Sequence, residues 1–330
     1  MPEKSIIAWR MALLLFIFSI NLTAQQPPAV IGAGTAALFN AIRSGSTDVL
    51  QRQLGNGANP NDSLNGYSAL MAAALNGTVE QMKVLIEHGA NVNYQTKQGI
   101  TALWLAVPDE DKIMLLVNHG ADVNHQIDGY GILAKLAAIP GTIKTFHLLI
   151  DKGTDLKKSA QANFLVYNAA SSGDTAILGF FLRNGFNVND STAFGDYPIN
   201  AALSFRSFAT MKMLVDNGAN VNVQPMSIPT FQPLIGFTPL MNAALSADKA
   251  SFFYLLGHGG DPNLKNKMGF TALMLLQQSE TTDDPEMTLA LINHGAVIST
   301  KAPDGTDALY YAQRKGNTQS VELLKKYANK

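Results

Sequence analysis

One stretch, Asn65 to Asn93 (NGYSALMAAALNGTVEQMKVLIEHGANVN), returns in recognisable variants about once every thirty-odd residues, and an internal period of this size restricts the chain to a stacked array of small units. The unit spells two short helices and a turn. Gly66 marks a hairpin turn, Ser68 is placed to cap a helix over 69–75, and Asn76-Gly77 stops that helix. A second helix over 79–87 carries Val79, Met82, Val84, Leu85 and Ile86 as a broad apolar stripe, and Gly89 sits where a left-handed residue ends a helix without a Cβ penalty. Helices this short are not stable alone in water, so each unit needs its neighbours.

The first unit is expected to open with Thr35 as its cap and to run to Asn61; the third spans Gly99 to Asn124, with Pro108 opening its inter-helix turn. The fourth, Gly129 to Leu156, and the fifth, Phe164 to Asn189, keep the frame but have lost most of the signature. It returns in Gly195 to Asn222 and in Gly236 to Asn263, where Pro198 and Pro239 fall at the first helical position, at which a missing N–H costs nothing. The eighth unit is interrupted by the polar segment Ser279 to Glu286. The ninth, Gly305 to Lys330, ends with Lys325, Lys326 and Lys330, a polar end suited to a terminal cap.

Hydrophobic residues make up 47% of the 330-residue chain, enough for a core, and the net charge of −1 gives no footprint for a phosphate backbone. With no cysteine, disulfides, thiolate metal sites and a thiol nucleophile are excluded. Lys4 and Arg10 precede an apolar run from Met11 to Ile20 and the segment Asn21 to Ala24, which reads as a cleaved signal peptide over 1–24, with an uncleaved N-terminal anchor as the alternative; the run is short of the roughly 20 apolar residues of a membrane span. Residues 25–34, with Pro27-Pro28, read as a flexible lead-in, and 35–330 as one repeat domain in the periplasm or outside the cell.

The units resemble ankyrin repeats, whose fingerprint includes G-x-T-P-L and a later L-L-x-x-G-A-[DN]-x-N, over nearly the whole chain from Thr35 on. The histidine usual after Thr-Pro-Leu is replaced by Met71, Trp104, Asn200, Met241, Met274 and Tyr310. The resemblance implies an all-α solenoid of about nine helix-turn-helix repeats, a curved stack with short β-hairpin fingers that binds a protein partner. Exported bacterial proteins that resemble this one have been linked to oxidant defence and toxin neutralisation, which makes an envelope stress-protection or toxin-immunity factor the alternative. A monomer is expected, without cofactor, nucleic-acid partner or, after signal cleavage, a membrane span.

The candidate binding residues follow the finger-tip glycines: Tyr67, Ile100, Tyr130, Phe237 and Phe270, with Asp196 and Thr306 in the same slot. In the ankyrin arrangement these positions line up along one face, where rings either anchor a partner or pack on neighbouring fingers. The longest finger, 223–235, adds Met226, Ile228, Phe231 and Leu234 among three prolines; it either joins that face or folds back over a gap. His88, His119, His258 and His294 share one slot before a closing glycine, where a histidine serves the exposed carbonyls of a helix end. Asp122 to Gly129 lacks the turn glycine and terminal glutamate of a calcium loop, and Gly32-Ala-Gly34-Thr-Ala-Ala37 lacks the strand that a dinucleotide fingerprint requires. Asn-x-Ser/Thr occurs at Asn61, Asn76 and Asn189, positions the repeat itself favours for turns. No H-E-x-x-H, G-x-S-x-G or G-x-x-x-x-G-K-[ST] is present, so no catalytic residue is assigned and a non-enzymatic binding module is expected.

Overall fold

The computed structural model describes residues 32–127, 129–156, 163–192, 195–225, 236–279 and 283–328. Among the described residues the chain forms nine consecutive helix pairs and two short β-hairpins, and it divides into two compact units, Met1–Asn91 and Val92–Lys330.

The first unit holds α1 (Ala33–Arg43) and α2 (Thr47–Gly55), the hairpin β1 (Ser63–Leu64) and β2 (Tyr67–Ser68), then α3 (Ala69–Asn76) and α4 (Val79–Glu87). The strands pair antiparallel, Leu64 opposite Tyr67, across the two-residue turn Asn65-Gly66. Ser68 Oγ accepts from Met71 N (3.2 Å) and so starts α3 directly from the finger, while Thr78 and Gln81 exchange side-chain bonds in a capping box that starts α4. Helix α1 packs on α3 and α2 on α4, and the shared core of Leu38, Leu50, Leu70, Met71, Met82 and Leu85 is fully buried. Gln81, also fully buried, donates to the carbonyls of Ala41 (3.2 Å) and Ile42 (3.3 Å), so the end of α1 is tied to the start of α4, the second helix of the next pair. Thr35 is not the cap that the sequence predicts. Helix α1 begins at Ala33 with Gly32 before it, and the Thr35 hydroxyl donates instead to Asp62 (2.6 Å), a partner 27 residues away that no local pattern announces.

The second unit continues with α5 (Ala102–Ala106), α6 (Glu110–Asn118), the hairpin β3 (Gln126–Ile127) and β4 (Tyr130–Gly131), α7 (Ile132–Ala137) and α8 (Ile143–Asp151). Then come α9 (Asn163–Ser172), α10 (Thr175–Arg183), α11 (Pro198–Ser204), α12 (Phe208–Asp216), α13 (Pro239–Leu245) and α14 (Lys249–Gly257). The last four are α15 (Ala272–Leu276), α16 (Pro285–Asn293), α17 (Ala308–Lys315) and α18 (Thr318–Tyr327). From α7 on, the first, inner helix of each pair packs on the inner helix of the next; from α10 on, the second helices do the same. Pro198 and Pro239 open their helices as the sequence predicts. The two degenerate units fold like the rest: Phe146 and Phe181, both fully buried, meet edge to face at 5.3 Å between α8 and α10.

A ladder of asparagines links successive repeats. In the first unit Asn61 Nδ2 donates to Gly89 O (3.0 Å) while its Oδ1 accepts from Asn91 N (2.7 Å). Asn93, Asn124, Asn189, Asn222 and Asn263 make the same pair of bonds in the second unit, to the closing glycines Gly120, Gly153, Gly218, Gly259 and Gly295 and to the N–H two residues beyond each. Only an amide can give and take in this geometry, because one partner is a carbonyl and the other an N–H. Asn61 and Asn189, which head two of the Asn-x-Ser/Thr triplets, therefore have their side-chain nitrogens already committed.

Candidate protein-interaction surface

The fingers of the second unit are closed by a repeated set of bonds. The opening residue gives its N–H to a carbonyl four residues on and accepts from the glycine between: Thr96 to Ile100 (3.0 Å), Thr192 to Asp196 (2.8 Å), Asn266 to Phe270 (3.0 Å) and Ala302 to Thr306 (2.8 Å). Thr96 Oγ1 and Asn266 Oδ1 each accept two further N–H groups of their own turn, which fixes the loop locally. Consecutive fingers touch. A Cβ placed on Gly269 would meet Pro303 Cδ at 2.6 Å, and one on Gly236 would lie 3.1 Å from Lys267 N, so these glycines provide both the positive φ and the close approach.

The residue after each glycine stands at the base of the finger, beside the inner helix, and its surroundings differ from repeat to repeat. Tyr67, Ile100, Tyr130 and Phe270 are half-buried. Phe237 is 2% exposed, so its ring packs in the core and offers no area to a partner. Met226, Ile228, Phe231 and Leu234 lie outside the described residues. The base of their finger is closed by Gly236 N to Pro225 O (3.0 Å) and by Gln224 Nε2, which donates to Gly236 O (2.8 Å) and Lys265 O (2.9 Å).

Around Tyr130 the surface becomes polar beneath its rings. Tyr130 packs on Phe164 at 4.7 Å, and burial pushes its phenol up to about 12. Tyr167 donates to Asp196 Oδ2 (3.0 Å), and Asp196 Oδ1 accepts from Tyr197 N (3.0 Å). Burial raises the Asp196 carboxyl above its usual range against the pull of these two donors, and burial together with that carboxylate raises the Tyr167 phenol. Lys135, 8% exposed, donates a hydrogen bond to Trp104 O (2.6 Å), its ammonium 4.9 Å from the centre of the Trp104 ring, and burial lowers its pKa to about 8.

Among the described residues, the last two repeats carry accessible apolar side chains on their fingers and inner helix. Phe270 meets Tyr311 edge to face at 5.8 Å, Tyr311 meets Tyr310 at 5.4 Å, and the Tyr311 hydroxyl pairs with Thr306 Oγ1 (2.8 Å). Tyr310 is 44% exposed and the finger-tip Met268 41%. Exposed Lys265, Lys267 and Lys301 flank them, against the single exposed carboxylate of Asp304 among these finger residues. Sequence reasoning did not single out Lys135, Tyr167 or Tyr311. For two of them a signal existed: Lys135 and Tyr311 stand four residues after the N-caps Gly131 and Asp307, in a slot that Ala72 and Leu105 fill in the second and third repeats.

The histidine slot is structural throughout. Nδ1 of His88, His119, His258 and His294 bonds the carbonyl four residues back at 2.7–2.8 Å, and Asn184 and Asn217 take over the same bond where the histidine is missing. The string from Gly32 to Ala37 forms the start of α1, and Asn124 of the calcium-like segment is a rung of the ladder.

The family described as Ankyrin repeats (3 copies) matches residues 38–127 and 240–330, more than half of the chain, and the chain belongs to that family. Ankyrin repeats are protein–protein interaction modules, and the homologues are generally non-enzymatic. Rabankyrin-5 of Homo sapiens is 24% identical over 220 residues, covering 63% of this chain and 18% of its own length. The ankyrin repeat and KH domain-containing protein mask-1 of Caenorhabditis elegans is 26% identical over 300 residues, covering 88% of this chain and 11% of its own. An ankyrin repeat-containing protein of Treponema pallidum is 36% identical over 117 residues, 34% of this chain and 39% of its own. The chain thus spans less than a fifth of the first two relatives. Among solved structures, a chain from the Bd0816 predatory endopeptidase of Bdellovibrio bacteriovorus in complex with immunity protein Bd3460 aligns with a TM-score of 0.49 and 25% identity, over 59% of this chain and 96% of that one. Among the described residues no helix is long and apolar enough to cross a membrane.

Proposed function

We propose that the chain is an exported, monomeric protein-binding module that docks its partner against finger tips and inner helices, with the last two repeats of the second unit as the centre of the surface. The observation that carries this reading is the accessible pair Met268 and Tyr310 beside the edge-to-face rings of Phe270 and Tyr311. Aromatic anchors supply contact area with few rotors to freeze, and such residues dominate interface energetics. The flanking Lys265, Lys267 and Lys301 favour a partner segment that combines apolar side chains with carboxylates. Export is supported by Lys4 and Arg10 ahead of the apolar run over 11–20.

Affinity capture from the host's envelope extract with the full chain, read by mass spectrometry and repeated with Met268→Glu and Tyr310→Ala, tests the surface. Selective loss of one retained protein from both variants supports it, and an unchanged set of retained proteins refutes it. N-terminal sequencing of protein recovered from the periplasmic fraction tests export, with Gln25 as the expected first residue.

A further inference from the structure

The chain contains five Asn-Gly steps, at Asn56, Asn65, Asn76, Asn184 and Asn217. Such a step is a latent reaction centre. The glycine nitrogen attacks the asparagine Cγ and closes a five-membered imide; the N–H proton leaves with the amide nitrogen as ammonia. Water then opens either imide carbonyl, giving aspartate or, with the chain rerouted through the side chain, isoaspartate. The nitrogen must be unbonded and the amide side chain free to swing over it.

Four of the five steps fail that requirement in the fold. Gly57 N is held by Leu54 O (3.0 Å), Gly77 N by Ala73 O (2.8 Å), Gly185 N by Leu182 O (3.1 Å) and Gly218 N by Val215 O (3.0 Å). At two of them the asparagine is tied down as well, Asn184 Nδ2 to Phe180 O and Asn217 Nδ2 to Met213 O, both at 2.8 Å. Gly77 is also closely packed: a Cβ there would lie 2.6 Å from Gln81 Oε1 and 2.9 Å from Ala73 Cα.

Asn65-Gly66 carries neither restraint. The two residues form the exposed tip of the β1–β2 finger, with φ of 53° and 83°. Among the described residues nothing accepts from Gly66 N–H, and the Asn65 amide makes no hydrogen bond. We infer that Asn65 is the site of spontaneous imide formation in the folded chain, and that the same helix-end bonds that close the repeats protect the other four steps. The product changes the finger chemically: either isomer adds a carboxylate beside Tyr67, and isoaspartate lengthens the backbone of a two-residue turn whose register depends on its length.

The test is to incubate the full chain in mildly alkaline buffer, folded in one arm and unfolded in urea in the other, and to follow all five peptides by mass, with isoaspartate detected enzymatically. In the folded arm the peptide with Asn65 is expected to gain about 1 Da at a rate at least about tenfold above the other four, whose reaction waits on local opening. In urea the five rates should converge to within a few-fold. The inference fails if another step leads in the folded arm, if the five react alike there, or if Asn65 stays intact while the unfolded chain is converted.

Discussion

Lys135 shows how a single side chain sets a pH dependence. A lysine whose folded pKa is about 8, against 10.5 in water, binds its proton more weakly in the native chain than in the unfolded one. The cost of burying its charge, up to about 3 kcal/mol, is complete below pH 8 and is relieved as pH rises from 8 toward 10.5. Urea midpoints measured across that window should therefore rise for the wild type relative to Lys135→Met, and parallel curves would refute the burial. A second residue-level prediction concerns Asn200, 4% exposed, whose Oδ1 is buried without a hydrogen-bond partner. Met71, Met241 and Met274 fill the equivalent slot fully or nearly fully buried. Asn200→Met is expected to stabilise the chain by about 1 kcal/mol, because an unsatisfied buried oxygen is replaced by a group that the same slot accommodates elsewhere. Thermal unfolding would show it as a raised midpoint.

At the scale of the element, the fingers and the ladder make separable contributions. Gly269→Ala combines a left-handed backbone, φ of 80°, with a Cβ 2.6 Å from the rigid Pro303 ring, whereas Gly305→Ala, φ of 83°, has nothing within 4 Å. The second should cost about 1 kcal/mol and the first clearly more, a difference that chemical denaturation of the two variants resolves. On the ladder, Asn189→Asp places a carboxylate against Gly218 O at neutral pH but restores a donor when protonated. Its loss of stability, about 1–2 kcal/mol at pH 7, should shrink as pH falls toward 4, while Asn189→Ala stays flat. Caps, closing glycines and first-turn prolines were legible in the sequence because they obey rules local to one turn, as Ser68, Gly89 and Pro239 show. The burial of Phe237 was not, since Tyr67 and Phe270 hold the same slot yet stay half-buried: what lies over a ring is decided by the neighbouring repeat. Thr35 failed as a cap for the same reason, its hydroxyl having found Asp62. The polar pair Tyr167 and Asp196 joins residues 29 apart and has no local signature at all.

At the scale of the whole second unit, α17 and α18 join the pair before them through polar as well as apolar contacts. Gln277 donates to Thr288 Oγ1 (2.9 Å), Thr288 pairs with Ser320 (3.0 Å), and Asp283 takes the N–H groups of Gln319 (2.7 Å) and Ser320 (3.2 Å) at the start of α18. Ending the chain at Asp304 removes the helices packed on α15 and α16, whose Leu275, Leu276, Met287 and Leu291 are now 0–4% exposed. At about 2 kcal/mol for each such side chain, the second unit should lose several kcal/mol, visible as a lowered and broadened urea transition.

The asparagines of the ladder are not evenly present in the sequence. Four residues beyond Gly153, where Asn93, Asn124 and Asn189 stand after their own glycines, the sequence has Lys157, outside the described residues, and an ammonium donates hydrogen bonds but cannot accept one. Held by its ends in an optical trap, the second unit should therefore not rip at random. Its first yield under tension belongs between the fourth and fifth repeats, and the later steps should each release one repeat, about 110 Å of slack.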